Sequence, residues 1–341
     1  MVHSIKDANK MSNLHQTSTS VLKEIYTKLF KIRTVEETIA KKYTEWEMRC
    51  PTHLSTGQEG IAAGVCQALL KDDYVLSTHR SHAHYLAKGG DLNKMIAEIY
   101  GKESGCSKGR GGSMHLIDKN VGFMGSTSIV GGTIPLAAGL ALSSQLKKES
   151  KIACVFFGDA ATEEGVFFET INFAAVKNLP ILFICENNLY SVYSPLECRQ
   201  PVNRKIFEMV NGIGIPSVAG NGNDALETYY KSKKFVDEIR NGDGPRFIEL
   251  STYRWREHCG PFFDNDIGYR SETEFESWKL RDPLLNFENQ LIKIKKIPQE
   301  VIDTVKTEIK REVIEAFQFA DESPFPDVSE LYSNIYSGDT N

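Results

Sequence analysis

Two short, unbroken apolar runs, Ile152-Ala-Cys-Val-Phe-Phe157 and Pro180-Ile-Leu-Phe-Ile-Cys185, flank a stretch whose apolar positions fall at helical intervals. Continuous rather than alternating hydrophobicity predicts strands covered on both faces, as in a parallel sheet. Between them, Gly165 to Lys177 carries Val166, Phe167, Ile171, Phe173, Ala174 and Val176 among polar residues, the spacing of a helix packed on that sheet. The unit is strand, helix, strand, and a right-handed crossover puts both strands in one sheet with their carboxyl ends at the same edge. Helical periodicity recurs from Val21 to Tyr43, from Gly57 through Val65 and Leu69, from Met95 to Tyr100, near Leu226 to Arg240 and from Glu274 to Phe319, and Phe247 to Thr252 reads as a further strand. Residues 1–18 are polar and predict a mobile tail, whereas 189–222 and 254–268 read as irregular. The glycine-rich stretch from Gly101 to Gly132 is longer than structureless connections usually run, which points to a binding loop; a surface loop needing positive φ angles is the plainer alternative. No internal repeat is visible. The pattern predicts an α/β fold, a parallel sheet flanked by helices with helical extensions at both ends: a tail at 1–18, a sheet domain at 19–270, and a helical extension at 271–341 packed on that domain.

Chemistry enters where the two apolar runs stop. The first ends in Gly158-Asp159-Ala160 and the second, 26 residues later, in Asn187-Asn188. Ligands of open α/β sheets bind at the carboxyl edge, so a carboxylate and an amide oxygen converge there. That pair suits magnesium, which takes a few protein oxygens and completes its shell from phosphates, carbonyls and water. Glycine at 158 lets a backbone approach a diphosphate, and amides opening a helix after Ala161 would face the same anion. The spacing alone also leaves open a plain strand end whose aspartate only caps a helix.

Composition narrows the class. At 341 residues, 41% hydrophobic and 25% charged, the chain can bury one large core. A formal charge of −5 and the lack of basic clusters with interleaved aromatics exclude nucleic acid as an expected partner. Seven cysteines without close metal-type pairing read as reduced thiols of a cytoplasmic protein. No apolar run approaches the roughly 18 to 20 residues of a membrane helix, and the start has neither an apolar signal core nor presequence arginines.

Gly158-Asp159-Ala160 with Asn187-Asn188 resembles the thiamine diphosphate fingerprint, and the surrounding chain resembles the alpha subunit of the 2-oxo acid dehydrogenase decarboxylases, the pyruvate, acetoin and branched-chain enzymes. Separate motifs carry the resemblance: His53-Leu-Ser-Thr-Gly-Gln-Glu59, Thr78-His-Arg-Ser-His82, Gly105-Cys-Ser-Lys-Gly-Arg-Gly-Gly-Ser-Met-His115, Ile129-Val-Gly131 with Pro135, and Thr252-Tyr-Arg-Trp-Arg-Glu-His258. It runs from about residue 20 to the Ser323-Pro-Phe-Pro-Asp-Val-Ser-Glu-Leu-Tyr332 segment. The resemblance implies a thiamine diphosphate-binding fold of the diphosphate type. It implies Asp159, Asn188 and the Tyr190 carbonyl on Mg2+, Arg80 and Arg254 on the diphosphate, Gly158, Ala160 and Ala161 at the same place, and Ser128 and Val130 on the aminopyrimidine. His53 and His258 match active-site histidines that face substrate and acyl intermediate, with His258 also beside the cofactor. Imidazoles suit proton transfer near neutral pH. His79, His82 and His84 also have spacings compatible with a transition-metal cluster, against which Arg80 stands as a neighbouring cation.

The family's activating glutamate belongs to a beta subunit's pyrimidine-binding domain, and a chain of this length has room for one of the two domains. The resemblance therefore implies an α2β2 assembly acting on a small 2-oxo acid or acyloin, with a lipoyl acyltransferase as acyl acceptor. Departures bear on that last step. Ala160 replaces the second glycine of the fingerprint, His79 stands where tyrosine is usual, and Arg256, Glu257 and Cys259 surround His258 where histidine, glycine and a phosphorylatable serine are usual. Serine phosphorylation at 259 is excluded by residue type. The altered loop keeps in view a carboligase or acyl transferase with a non-lipoyl acceptor; a non-catalytic binding subunit that retains the fold is the alternative from a different class, and the intact magnesium ligands and both histidines argue against it.

Overall fold

The computed structural model describes residues 13–48 and 50–333. Leu14 and Thr17 are already buried, so the packed structure begins earlier than the polar composition predicts. The Thr17 hydroxyl lies 2.6 Å from that of Tyr230, a long-range contact no local pattern announces. Residues 1–12 of the expected tail lie outside the described residues. Helix α1 (Thr19–Lys42) starts at Ser18, whose hydroxyl accepts the Val21 N–H, and it buries the stripe Leu22, Ile25, Leu29, Ile32, Val35 and Ile39. Then follow α2 (Glu59–Ala68), β1 (Tyr74–Ser77), α3 (His82–Ala87), α4 (Leu92–Ile99), β2 (Phe123–Ser126), α5 (Thr133–Lys147), β3 (Ala153–Gly158), α6 (Gly165–Lys177) and β4 (Ile181–Asn187). A small hairpin, β5 (Tyr190–Ser191) and β6 (Ser194–Pro195), leads into α7 (Leu196–Arg199), α8 (Ile206–Gly212), β7 (Ser217–Asn221), α9 (Ala225–Arg240) and β8 (Arg246–Ser251). Helices α10 (Glu272–Lys279), α11 (Pro283–Ile294) and α12 (Gln299–Glu322) complete the series.

Six strands form one sheet in the order β2-β1-β3-β4-β8-β7, every neighbouring pair parallel. The central pair is in register from Ala153 opposite Ile181 to Gly158 opposite Glu186. Alternate residues feed two cores. Cys154, Phe156, Leu182 and Ile184 enter the one that includes α1, α2, α4, α9 and α12 residues. Ala153, Val155, Phe157, Ile181, Phe183 and Cys185 enter the one that includes residues of α5, α6 and α8. Cover on both faces is why these strands read as unbroken apolar runs.

The terminal helices pack on the same body. α12 buries Ile302, Val305, Ile309, Val313 and Phe317 in the first core. Arg33 of α1 bridges Glu59 Oε2 at 3.1 Å and Asp282 Oδ2 at 3.2 Å, joining the starts of α2 and α11. Glu59 is fully buried and Asp282 also caps α11 through the Leu284 N–H, so the guanidinium answers two carboxylates that have no water to turn to. No helix among the described residues is long and apolar enough to cross a membrane.

Several elements escape the hydrophobic pattern. The stretch from Gly101 to Gly132 is not all loop: it contains β2, which pairs with β1 from Phe123 opposite Val75 onward. The stretch from 189 to 222 holds the β5–β6 hairpin, α8 and β7, the last an edge strand of sequence Ser-Val-Ala-Gly-Asn. Edge strands bury less and need fewer apolar residues, so periodicity does not flag them. α5 was hidden for the opposite reason: it is apolar on nearly all sides, with Leu136 and Leu146 more than half exposed.

One side chain gathers four backbone amides of the glycine-rich loop. The buried Glu98 carboxylate at the end of α4 accepts backbone N–H groups from Ser107 (2.7 Å), Gly109 (3.0 Å), Gly111 (2.6 Å) and Gly112 (3.2 Å). Neutralising this acceptor removes charge-assisted bonds from four amides at once. Glu98→Gln is expected to lower unfolding stability by about 3 kcal/mol, the scale of losing a buried charged hydrogen-bond partner. Denaturant unfolding measures the loss, and limited proteolysis should locate new cleavage at residues 101–112; an unchanged midpoint and digestion pattern would refute this account of the loop.

Candidate active site

The carboxyl edge of the sheet opens into a cleft of about 210 Å3. Thr78, His79 and Arg80 reach it from the end of β1, Gly158, Asp159, Ala160 and Ala161 from β3, and Glu186, Asn188, Tyr190, Ser191 and Val192 from β4 and the hairpin after it. Met114, Ser128 and Val130 come from the segment on either side of β2, and His53, Gln58 and His258 close the remaining side. The loop bearing His53 and Gln58 turns at Gly57, whose φ is +97°; a Cβ there would stand 2.6 Å from the Tyr253 carbonyl oxygen, so both conformation and space require glycine.

Asp159 is buried in a 3-10 turn, Asp159–Glu163, and not at the start of an α-helix as the spacing suggests. The helix begins only at Gly165, because Glu164 takes an extended conformation. Amides near an anion in this cleft would therefore come from the strand end and the turn. Burial pushes the Asp159 carboxyl above its usual range, and the Arg199 guanidinium at its Oδ2 opposes that rise. Arg199 also pairs with Glu163. The Asn188 side chain is fixed at both ends: Nδ2 donates to Gln58 Oε1 at 2.9 Å and Oδ1 accepts the Tyr190 N–H at 3.2 Å. Leu189 and Val192 hold φ angles of 73° and 54°, and the β-branched Val192 pays for the left-handed geometry with steric strain.

Three imidazoles meet across the cleft. Ring centroids lie 4.6 Å apart for His53 and His79, 5.0 Å for His53 and His258, and 5.5 Å for His79 and His258. Burial, with Arg80 second, depresses all three, His53 to about 2, His79 to about 3 and His258 to about 4. They stand neutral near pH 7, each able to donate one proton and accept another. His53 Nδ1 is buried without a hydrogen-bond partner. Arg80 donates to the carbonyls of Leu54 (2.5 Å) and His258 (3.1 Å), and burial and then Arg254 bring its own pKa down to about 10. The pairing of His79 with His82 and His84 does not form. His82 bonds Ser113 Oγ at 2.8 Å, and His84 bonds Ser77 Oγ at 2.7 Å and Glu186 Oε1 at 3.1 Å.

Arg254 is the sequence candidate that does not line the cleft. Fully buried behind its wall, it donates to the Val192 carbonyl at 2.8 Å and the Tyr269 hydroxyl at 2.7 Å and lies 3.4 Å from Asp264. The neighbouring departures also turn away: Arg256 pairs with Glu37 and the Pro261 carbonyl, and Glu257 accepts the Phe262 N–H at 2.9 Å. Neither residue lines the cleft. Of the contributors not singled out in the sequence, Gln58 and Met114 sit inside quoted motifs and Glu186 beside one, and all three were within reach. Ser191, Val192 and Arg199 depend on loop paths that no spacing rule predicts.

The residues present suit a diphosphate-bearing cofactor. An arginine in the lining, a strand-end glycine with open space where a Cβ would sit, and a buried carboxylate beside an amide oxygen form an anion-and-cation donor set. Comparison with known proteins agrees. The family model of the dehydrogenase E1 component matches residues 27–329. The chain is 36% identical over 313 residues to the alpha subunit of acetoin:2,6-dichlorophenolindophenol oxidoreductase from Bacillus subtilis, covering 92% of each chain. It is 34% identical to pyruvate dehydrogenase E1 component alpha subunits of Porphyra purpurea, over 92% of each chain, and of Rickettsia felis, over 92% of this chain and 96% of the relative. The chain belongs to the dehydrogenase E1 component family and is an alpha-type subunit of the thiamine diphosphate-dependent 2-oxo acid dehydrogenases.

Proposed function

We propose that this cleft holds the diphosphate end of thiamine diphosphate with Mg2+, and that with a beta subunit, as an α2β2 assembly, the chain decarboxylates a small 2-oxo acid and passes the acyl group to a lipoyl carrier. The observation that carries this reading is the convergence of Asp159, Asn188, Arg80, Ser128, Val130, His53 and His258 on one cleft from segments far apart in sequence. When bound, the cofactor supplies the carbon nucleophile and the electron sink that decarboxylation needs. The protein's part is to hold and orient. Asp159, the Asn188 side-chain oxygen and the Tyr190 carbonyl would take the metal. Arg80 would meet the diphosphate, with the backbone of Gly158, Ala160 and Ala161 beside it, and the backbone at Ser128 and Val130 would hold the aminopyrimidine ring. Arg254 acts at one remove, through the Val192 carbonyl at the cleft rim. His53 and His258, uncharged near neutral pH, would give or take a proton at substrate oxygen.

Two further observations bear on partner and acceptor. Exposed apolar side chains on α5 and α6, among them Leu136, Leu146, Phe168, Phe173 and Val176, support a subunit that covers them. Arg256 and Glu257 place no charge in the cleft, which supports the lipoyl acceptor over the alternative.

The direct test is substrate-dependent reduction of an artificial electron acceptor, comparing the chain alone with the chain co-purified with its beta partner. Pyruvate, branched-chain 2-oxo acids and acetoin form the panel. Activity is expected only in the mixture, and Asp159→Ala should cost more than about a hundredfold, beyond the range of losing an outer-shell partner. Turnover by the isolated chain would contradict the need for a partner. Silence of the mixture on every substrate would reject the decarboxylase.

The imidazoles also give a pH signature. Their folded pKa values lie below the 6.5 of a free histidine, so the unfolded chain binds more protons as pH falls. Their contribution to stability is fully present above about pH 6.5 and is lost as pH falls through the values near 4, 3 and 2. Unfolding free energy should drop from pH 7 toward pH 4, with a shallower slope in His53→Gln; an equal slope would show that His53 titrates normally.

A further inference from the structure

Arg199 lies outside every motif discussed above, yet its guanidinium is the group that touches the buried carboxylate of Asp159. It pairs with Asp159 Oδ2 on one side and Glu163 Oε1 on the other, and its side chain is only 11% exposed. Gln200 braces the far carboxylate, donating from Nε2 to Glu163 Oε1 at 3.0 Å. The backbone bends to make this possible. After β4 the chain passes through left-handed Leu189 and Val192 and the β5–β6 hairpin, and the Leu196 N–H closes the excursion on the Leu189 carbonyl at 2.8 Å. Helix α7 is thereby carried back over the end of β3. Strain of this kind persists only where surrounding contacts compensate for it.

The geometry points to Arg199 as a positioning residue for the divalent cation of this site, an inference that rests on the proposed function. It grips Oδ2 of Asp159 so that Oδ1 is presented to the metal. A buried aspartate without such a partner can rotate, and outer-shell hydrogen bonds are what fix ligating carboxylates. Electrostatics raises an objection, because a guanidinium beside a metal ligand repels the metal. Glu163 answers it: the triad of Asp159, Arg199 and Glu163 carries the same net charge of −1 as Asp159 alone, so the carboxylate gains a fixed orientation without losing its attraction for a cation. Glu163 touches no ligand atom of the metal set, and its role is to cancel the charge of Arg199.

The test uses Mn2+ in place of Mg2+, with the free ion followed by electron paramagnetic resonance, on the full chain co-purified with its beta partner in the presence of thiamine diphosphate. Arg199→Gln is expected to weaken Mn2+ binding by about 10- to 100-fold, and Arg199→Lys to recover part of the loss. Glu163→Gln leaves the arginine charge uncancelled and should also weaken binding, while the Arg199→Gln/Glu163→Gln double variant should bind better than the two single losses multiplied together. Melting temperatures are taken alongside, since a structural role alone would move them and leave Mn2+ affinity in place. Unchanged or tighter Mn2+ binding in Arg199→Gln would overturn the inference and make the arginine a bystander or a competitor for the carboxylate. Failure of the unsubstituted complex to show any cofactor-dependent Mn2+ site would overturn the proposed function and this inference together.

Discussion

All six strands run in the same direction, and much of the molecule follows from that one constraint. Parallel strands need crossovers, crossovers cover both faces, and the carboxyl ends collect at a single edge. Gly158 and Glu186 are register partners at the end of the central pair, so Asp159 and Asn188 leave the sheet side by side although 28 residues of chain separate them. The same edge receives Thr78, His79 and Arg80 from β1. Loops leaving the strands at this edge bring the candidate anion donors, the candidate metal oxygens and the imidazoles into one cleft.

Buried carboxylates carry the loops that finish the site. Glu36 of α1 accepts the Ser55 N–H at 2.7 Å and the Thr56 hydroxyl at 3.3 Å, fixing the segment between His53 and Gln58. It also faces His82 at 3.6 Å, whose other nitrogen bonds Ser113 Oγ at 2.8 Å. Glu98 holds the glycine-rich loop that ends at Ser113 and Met114. Helix α1, a histidine of α3 and the loop following α4 thus form one chain of contacts ending at the cleft. Such groups have no water to fall back on, so each is committed to its partners and the loops they hold are rigid.

The electrostatics of the cleft divides into two regions. Around Asp159 the charges are paired, carboxylate to guanidinium to carboxylate. Around Arg80 no ion pair forms among the described residues: the guanidinium donates to carbonyls, Arg254 outweighs the more distant opposing influence of Glu36 and Glu186, and three neutral imidazoles stand beside it. The second region is a place for an anion and the first for a cation. That is the polarity of the proposed magnesium diphosphate, and the histidines between the two regions are kept neutral by burial and by Arg80.

Strand, helix and strand from Ala153 to Asn187 were legible because a doubly covered strand and a sheet-packed helix leave opposite imprints on hydrophobic order, and α6 spans the residues its periodicity predicts. The α/β class and most of the cleft-lining residues were likewise carried by local pattern and motif. The edge strands β2 and β7, the apolar α5 and the packed residues around Leu14 were not, since short or uniformly apolar segments have no period to read. Arg254 shows the limit within a motif: its position was marked, yet Tyr269, Asp264 and the Val192 carbonyl, brought from elsewhere, hold its side chain behind the wall of the cleft. Arg199 shows the limit outside one. Sequence by itself determined which residues could bind a diphosphate and a metal, because that depends on chemical type and local spacing; which of them face the cleft, and what holds Asp159, was decided by the tertiary path of loops closing on buried charges from distant segments.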